Sequence, residues 1–280
     1  MNFLIRSAAL LESIVRFLLS WSFLALVSIL FLPVFLLLLP SRRRRILTSN
    51  LWGQLVGRIM AFLCGASLPP GIRTALASPQ PAIFVANHTS YLDVYLGIWA
   101  APTGTLATAR HTTIYTPFIG LIYALSGNIL VKRSDKRAAA AALLETIELT
   151  RNFRISVWVW AEGTRAAGGR LLPFKRGFAH VALATRLPIV PVVITGAHRC
   201  WPRGSPFTQR TFVDIRVLAP IPTTDWSLEN LDRHVADVHA RFVAALPADQ
   251  QPLMTPSFAV KPGSDRTARA LPGPNEEYRR

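Results

Sequence analysis

The chain alternates apolar runs with short polar turns, and its reactive side chains fall in the turns. The longest apolar run, 17–39, has no charged residue. As a helix it would be roughly 34 Å long, against a hydrocarbon core of about 30 Å. It is predicted to enter the membrane. A signal peptide fits less well, because the run ends in Pro40-Ser41-Arg42-Arg43-Arg44-Arg45 rather than at a small-residue cleavage site. Pro33 can interrupt the helix, so a full span and a shorter insertion both stay open. Trp52, Leu55, Val56, Ile59, Met60 and Leu63 then recur at helical spacing, with Gln54 and Arg58 off the stripe. That stripe suits either an interfacial helix or one packed on a core.

From Pro81 the period changes. Residues 81–86 are apolar and partly β-branched, as in a buried strand of a parallel sheet, and 91–99 follow as a helix. Further strands are expected at 106–109, 127–132, 155–161 and 187–194, with 211–218 alternating like a half-exposed edge. A helix capped by Ser134 or Asp135 runs through Arg151. A last one spans 226–246, with Leu228, Leu231, Val235, Val238 and Phe242 on one stripe. Strands alternating with helices predict an α/β fold: a mixed, largely parallel sheet flanked by helices, preceded by an N-terminal membrane-inserted helical segment. Leu68-Pro69-Pro70-Gly71 punctuates the passage between them. The expected organisation is a membrane anchor over 1–66, an α/β domain over 67–246, and a proline-rich, disordered tail over 247–280.

Composition narrows the partners. The chain has 280 residues, 51% of them hydrophobic, with a net charge of +16 and a pI near 11.3. Such a balance favours anionic lipid or nucleic acid. No nucleic-acid motif with interleaved aromatics is present, so no nucleic-acid partner is expected. The arginines at 42–45 outweigh Arg6 and Arg16 and put the following chain on the cytoplasmic side. Cys64 and Cys200 stand alone, which supports neither a disulfide framework nor a zinc ribbon and fits a reducing compartment.

The candidate chemistry sits where the 81–86 strand stops, in Asn87-His88-Thr89-Ser90-Tyr91-Leu92-Asp93. A polar turn at the carboxyl end of a parallel strand is where open α/β sheets bind ligands. Five residues rotate an ideal helix by about 140° past a full turn, so His88 and Asp93 meet only if His88 lies outside the helix. From the first helical turn, Asp93 can reach back to one ring nitrogen, fix the tautomer and leave the other nitrogen for a proton. The same spacing is also a capping box, with Ser90 as N-cap and Asp93 at N3. Two further strand ends carry Arg133 and Glu162-Gly163-Thr164-Arg165. Arginine's planar fork suits phosphate, although either arginine alone also reads as a solvated surface charge. His111, His180, His198, His234 and His239 lack this setting, and without a His-Glu-x-x-His pattern no catalytic metal is expected.

The stretch from Asn87 to Asp93 resembles the first signature of the lysophospholipid acyltransferase family. Gly127-Asn128-Ile129-Leu130-Val131-Lys132-Arg133 resembles the second, Glu162-Gly163-Thr164-Arg165 the core of the third, and Ile189-Val190-Pro191-Val192 the fourth, in order across about half of the chain. The resemblance implies transfer of a fatty acyl chain from a thioester to the free hydroxyl of a lysophospholipid, foremost 1-acylglycerol-3-phosphate to give phosphatidic acid. It implies His88 as general base and Asp93 as its orienter, the pattern that the residues themselves allow. It reverses the surface reading of Arg133 and Arg165 in favour of phosphate contact, and has Glu162, Gly163 and Thr164 shape the acceptor pocket. Lys175 either attracts the anionic donor or is solvated. No cofactor is implied, acyl-CoA or acyl-carrier protein being the donor substrate, and no serine or cysteine nearby shows a nucleophile elbow. Relatives with a hairpin buried in one leaflet make that an alternative to a full span. The expected location is the inner membrane, with the catalytic part on the cytoplasmic face and membrane lipids as partners. Two features depart from the family: Trp160-Ala161 stands where phenylalanine and proline are usual, and Arg110 where lysine is usual. The first flanks the acceptor pocket, so transfer to another lysolipid, such as a lyso amino-acid lipid, stays open. So does a non-catalytic, membrane-tethered basic binding protein.

Overall fold

A computed structural model describes residues 2–77 and 81–253, with side chains from residue 11 onward. The first half runs α1 (Asn2–Leu37), α2 (Arg42–Leu63), β1 (Ala66–Ser67), α3 (Ile72–Leu76), β2 (Ile83–Ala86), α4 (Leu92–Ala100), β3 (Thr105–Arg110), α5 (Ile119–Leu125) and β4 (Ile129–Val131). Then come α6 (Lys136–Phe153), β5 (Ser156–Trp160), α7 (Gly177–Thr185), β6 (Ile189–Thr195), α8 (Ala197–Cys200), β7 (Thr211–Phe212), β8 (Asp214–Val217) and α9 (Leu231–Ala245). Among the described residues, six strands form the main sheet in the order β4-β3-β5-β2-β6-β8, parallel except where β8 runs against β6. This is the mixed, largely parallel α/β sheet that the pattern predicts.

β2 lies inside the sheet with both faces covered, so all four of its residues are buried and none is polar. Its register with β5 pairs Ala86 with Trp160, the last residue of each strand. The turn carrying His88 and the turn carrying Arg165 therefore start level and side by side. Backbone bonds continue past the strand ends, from Ala161 N to Ala86 O (3.1 Å) and from Ala166 N to His88 O (2.8 Å). On the other side Asn87 prolongs the ladder with its side chain, donating to Ile194 O (2.8 Å) and accepting from Ile194 N (2.7 Å).

α1 runs through Pro33 without a break. Over 11–37 it is long and apolar enough to cross a membrane. One stripe, Leu24, Val27 and Phe35, is buried with Trp52, Val56 and Met60 of α2 and Ile119 and Ile122 of α5. Leu18, Leu26, Leu30 and Leu37 face outward, an apolar surface that lipid would cover. α2 buries Trp52, Val56 and Met60 as a core helix would, while Leu55 and Phe62 remain exposed. Its glycines let it approach α4 closely, since a Cβ on Gly57 would lie 2.3 Å from Tyr95 O. Two of the clustered arginines bind protein: Arg42 donates to Gly127 O (2.9 Å) and pairs with Glu145 (2.6 Å), and Arg45 donates to Leu125 O (3.0 Å).

Three expectations shift. The edge segment 211–218 divides, because β7 pairs parallel with β1 while β8 pairs with β6, Val213 being buried between them. The last helix starts at Leu231, since Trp226 is buried in the preceding turn and stacks on His234 at 4.4 Å. The first residues of the expected tail are docked: Gln250 is fully buried, its carbonyl accepting from Leu171 N and its side chain from Gly196 N. Residues 254–280 lie outside the described residues.

Candidate active site

His88 is 8% exposed and Asp93 0%, both at the carboxyl edge of the sheet. His88 Nδ1 lies 3.0 Å from Asp93 Oδ2. The same oxygen accepts from Thr89 N (2.5 Å) and Ser90 N (2.7 Å). Oδ2 thus acts as acceptor to the turn and faces Nδ1, and an imidazole with its proton on Nδ1 would leave Nε2 as the acceptor. The cap and the dyad are thus one group. They do not divide its oxygens, because Oδ1 is buried without a hydrogen-bond partner among the described residues. The capping box is half formed: Asp93 reaches back to Ser90 N, but Ser90 Oγ accepts from Leu92 N and donates to Trp201 O.

The imidazole lies flat against Trp160, ring centroids 4.5 Å apart and planes 21° apart. Gly97 makes room for that indole, since a Cβ there would come within 2.7 Å of Trp160 Cζ2. Facing them is a pocket of about 160 Å³. Arg110, Arg133, Thr164 and Arg165 line it together with His88, and among the described residues no acidic side chain does. Its walls also include Gly97, Ile98, Ala101, Ala107, Ile122 and Trp158. Asn50 and Asn128 line it too, with their amides spent on Thr105, Gly104, Ala107, Ser49 and Ser126.

Arg165 lies over the Tyr91 ring, Cζ 3.8 Å from the centroid. Partial burial lowers the pKa of both Arg165 and Arg133, with Arg110 adding repulsion at Arg133. Both guanidiniums remain charged at neutral pH. Gly163 holds φ +68°, a left-handed conformation glycine adopts without strain, and a Cβ there would meet Lys175 Cγ at 3.3 Å. Lys175 itself is exposed and does not line the pocket.

Glu162 is where the structure departs most from expectation. It does not line the pocket. It is 1% exposed beneath the loop, accepting from His88 N at 2.6 Å and from Leu172 N at 2.9 Å. Burial pushes its pKa up to about 8 against the pull of those two donors. Its place is that of a brace under the histidine turn rather than a wall of the pocket.

Residues 72–195 match the family model described as Acyltransferase. A 1-acyl-sn-glycerol-3-phosphate acyltransferase of Cocos nucifera is 35% identical over 92% of this chain and 81% of its own length. One of Limnanthes alba is 36% identical over 79% and 78%. The chain belongs to the acyltransferase family. The crystal structure of a 1-acyl-sn-glycerophosphate (LPA) acyltransferase from Thermotoga maritima, 22% identical, superposes with a TM-score of 0.69 over 87% of this chain and 98% of that one, which shows the shared fold.

In this acyltransferase the first and third sequence blocks emerge level because β2 and β5 are adjacent and in register, the fourth runs along β6 beside β2, and the second ends β4, across β3 from β5, with Arg133 lining the same pocket as His88 and Arg165. Sequence reasoning missed the stacking of Trp160, the seat that Tyr91 gives Arg165, and the ladder role of Asn87. A signal existed for the first, since Trp160 is the residue at which the β5 run meets the polar turn.

The brace is testable by Glu162→Gln. Above about pH 8, where Glu162 is ionised, both its oxygens accept, whereas the amide accepts from one of the two N–H groups and turns its own NH₂ toward the other, leaving a buried donor unpaired. Thermal unfolding should show a loss of about 1–3 kcal/mol, and turnover should fall with little change in acceptor KM. Wild-type stability combined with weakened acceptor binding would return Glu162 to the acceptor pocket.

Proposed function

We propose that this acyltransferase moves a fatty acyl chain from a thioester, acyl-CoA or acyl-carrier protein, to the free hydroxyl of 1-acylglycerol-3-phosphate, forming phosphatidic acid. The observation that carries the reading is a histidine–carboxylate pair opening into a pocket with apolar walls and three guanidiniums. The relatives from Limnanthes alba and Cocos nucifera, both named 1-acyl-sn-glycerol-3-phosphate acyltransferases, support the same substrate.

Asp93 holds the Nδ1–H tautomer, so Nε2 takes the proton of the acceptor hydroxyl as its oxygen attacks the thioester carbonyl. The tetrahedral intermediate collapses by breaking the C–S bond, and the departing sulfur takes the proton back from the imidazolium. The products are the new ester and a free thiol. Direct transfer is favoured over an acyl-enzyme because Thr89, Ser90, Cys64 and Cys200 do not line the pocket into which His88 opens. The N–H groups of His88, Thr89 and Ser90 are engaged by Glu162 and Asp93, so charge on the carbonyl oxygen falls to the cationic side chains of the pocket. Arg133 and Arg165 take the acceptor phosphate, Gly163 and Thr164 shape the loop between them, and the apolar walls suit the donor's acyl chain. Lys175, exposed beside Gly163, attracts the anionic donor to the rim.

Purified membranes given labelled donor and lysolipid should transfer label, and His88→Ala should abolish transfer. Transfer unaffected by that change sinks the mechanism, and binding without transfer by the wild type favours a tethered binding protein. Rates should be highest with the glycerol-3-phosphate head group, whereas preference for a lyso amino-acid lipid would replace the proposed acceptor.

The same reading has 1–66 act as the anchor and the catalytic edge face the cytoplasm at the inner membrane. Arg44 is exposed just beyond the apolar helix, and the native cysteines are buried. Arg44→Cys should therefore react with an impermeant thiol reagent only from the cytoplasmic side. Reaction from the outside would invert the topology.

A further inference from the structure

A second cavity, of about 400 Å³, lies on the outer side of the site, between α1, the start of α4, and the segments 113–119 and 201–206. It shares three wall residues with the His88 pocket: Val94, Thr113 and Arg165. Four aromatic side chains stand among the rest of its walls. Tyr95 stacks on Trp201 with centroids 6.3 Å apart and planes 6° apart, Tyr91 lies under the Arg165 guanidinium, and Trp21 reaches in from the membrane-type helix.

Acyl transfer between two lipids brings two fatty chains to one imidazole. The donor's reacting carbon is the first atom of its chain, so that chain must continue into the pocket His88 lines. The acceptor's own chain is attached on the far side of the hydroxyl-bearing carbon from the phosphate, and has to leave the site another way. Resting on the proposed acyl transfer, we infer that the outer cavity is the acceptor-tail site: it takes the fatty chain of the lysolipid while Arg165, at the junction, holds the phosphate. The bordering α1 lets a lysolipid leave the bilayer along Trp21 and keep its tail against apolar surface throughout.

The test uses the full chain in detergent and 1-acylglycerol-3-phosphates of increasing chain length. In the wild type, kcat/KM should rise with each methylene by up to about fourfold, the equilibrium value for burying one CH₂. Thr116→Trp fills the cavity from a half-buried wall position. It should flatten that rise and leave the donor chain-length profile as in the wild type. Partition of the tail into micelles is common to both proteins and cancels in their ratio. A lysolipid with a diazirine at its tail end, which needs neither turnover nor a variant, should label peptides covering 113–119 or 201–206. Labelling only of the outward face of α1 would mean that the tail stays in the bilayer, and labelling around Ala107 or Asn128 would reverse the two chains. Either result, or a Thr116→Trp variant with an unchanged acceptor profile, overturns the inference. Absence of transfer by the wild type would instead overturn the acyl-transfer reading, with the photolabel still reporting where the tail binds.

Discussion

The site depends on one carboxylate oxygen. Asp93 Oδ2 gathers the N–H groups of Thr89 and Ser90 and the Nδ1 side of His88 within 3.0 Å. A turn that has just left a buried strand has backbone donors with no ladder partner, and leaving them unpaired in the interior would cost about 1–3 kcal/mol each. Asp93 removes that cost and orients the imidazole in the same contact. Glu162 does the equivalent work from below, taking His88 N and Leu172 N. The histidine is fixed from three sides, by Asp93, by Glu162 through its backbone, and by the flat face of Trp160.

That arrangement draws its precision from the sheet. β2 and β5 end in register at Ala86 and Trp160, so two loops distant in sequence emerge level. α4 is held against α2 at glycine contacts too close for a Cβ, which ties the Asp93 helix to α2 and, through it, to the apolar α1. The chain's basic charge is divided along the same line. Arg42 and Arg45 fasten α2 to the body, whereas Arg43 and Arg44 stay exposed.

The buried strands were legible in the sequence because strands covered on both faces need no polar residue, and the histidine turn because its polar run breaks an apolar one. The convergence of Arg133 and Arg165 on His88 was legible as three strand ends on one edge. Other features depend on partners far along the chain. Glu162 reads as a pocket residue until its acceptors' donors are known, and one of them lies in the His88 turn, 74 positions earlier. The two-residue β1 carries no periodicity, so the division of 211–218 between two sheets had no local signal. Gln250 sits in a proline-rich stretch that composition marks as tail, yet one side-chain oxygen and one carbonyl dock it.

The most direct test is Asp93→Asn, with turnover and melting temperature measured on the same preparation. Asparagine keeps the shape but loses the charge, and it can offer its amide donor to the imidazole and favour the wrong tautomer. In a comparable triad such a change lowers turnover by about 10⁴-fold. Because one oxygen serves both the turn and the imidazole, turnover should collapse while stability falls by about 0.5–2 kcal/mol. Turnover close to wild type, with only the melting temperature lowered, would contradict the account and leave Asp93 as a helix cap alone.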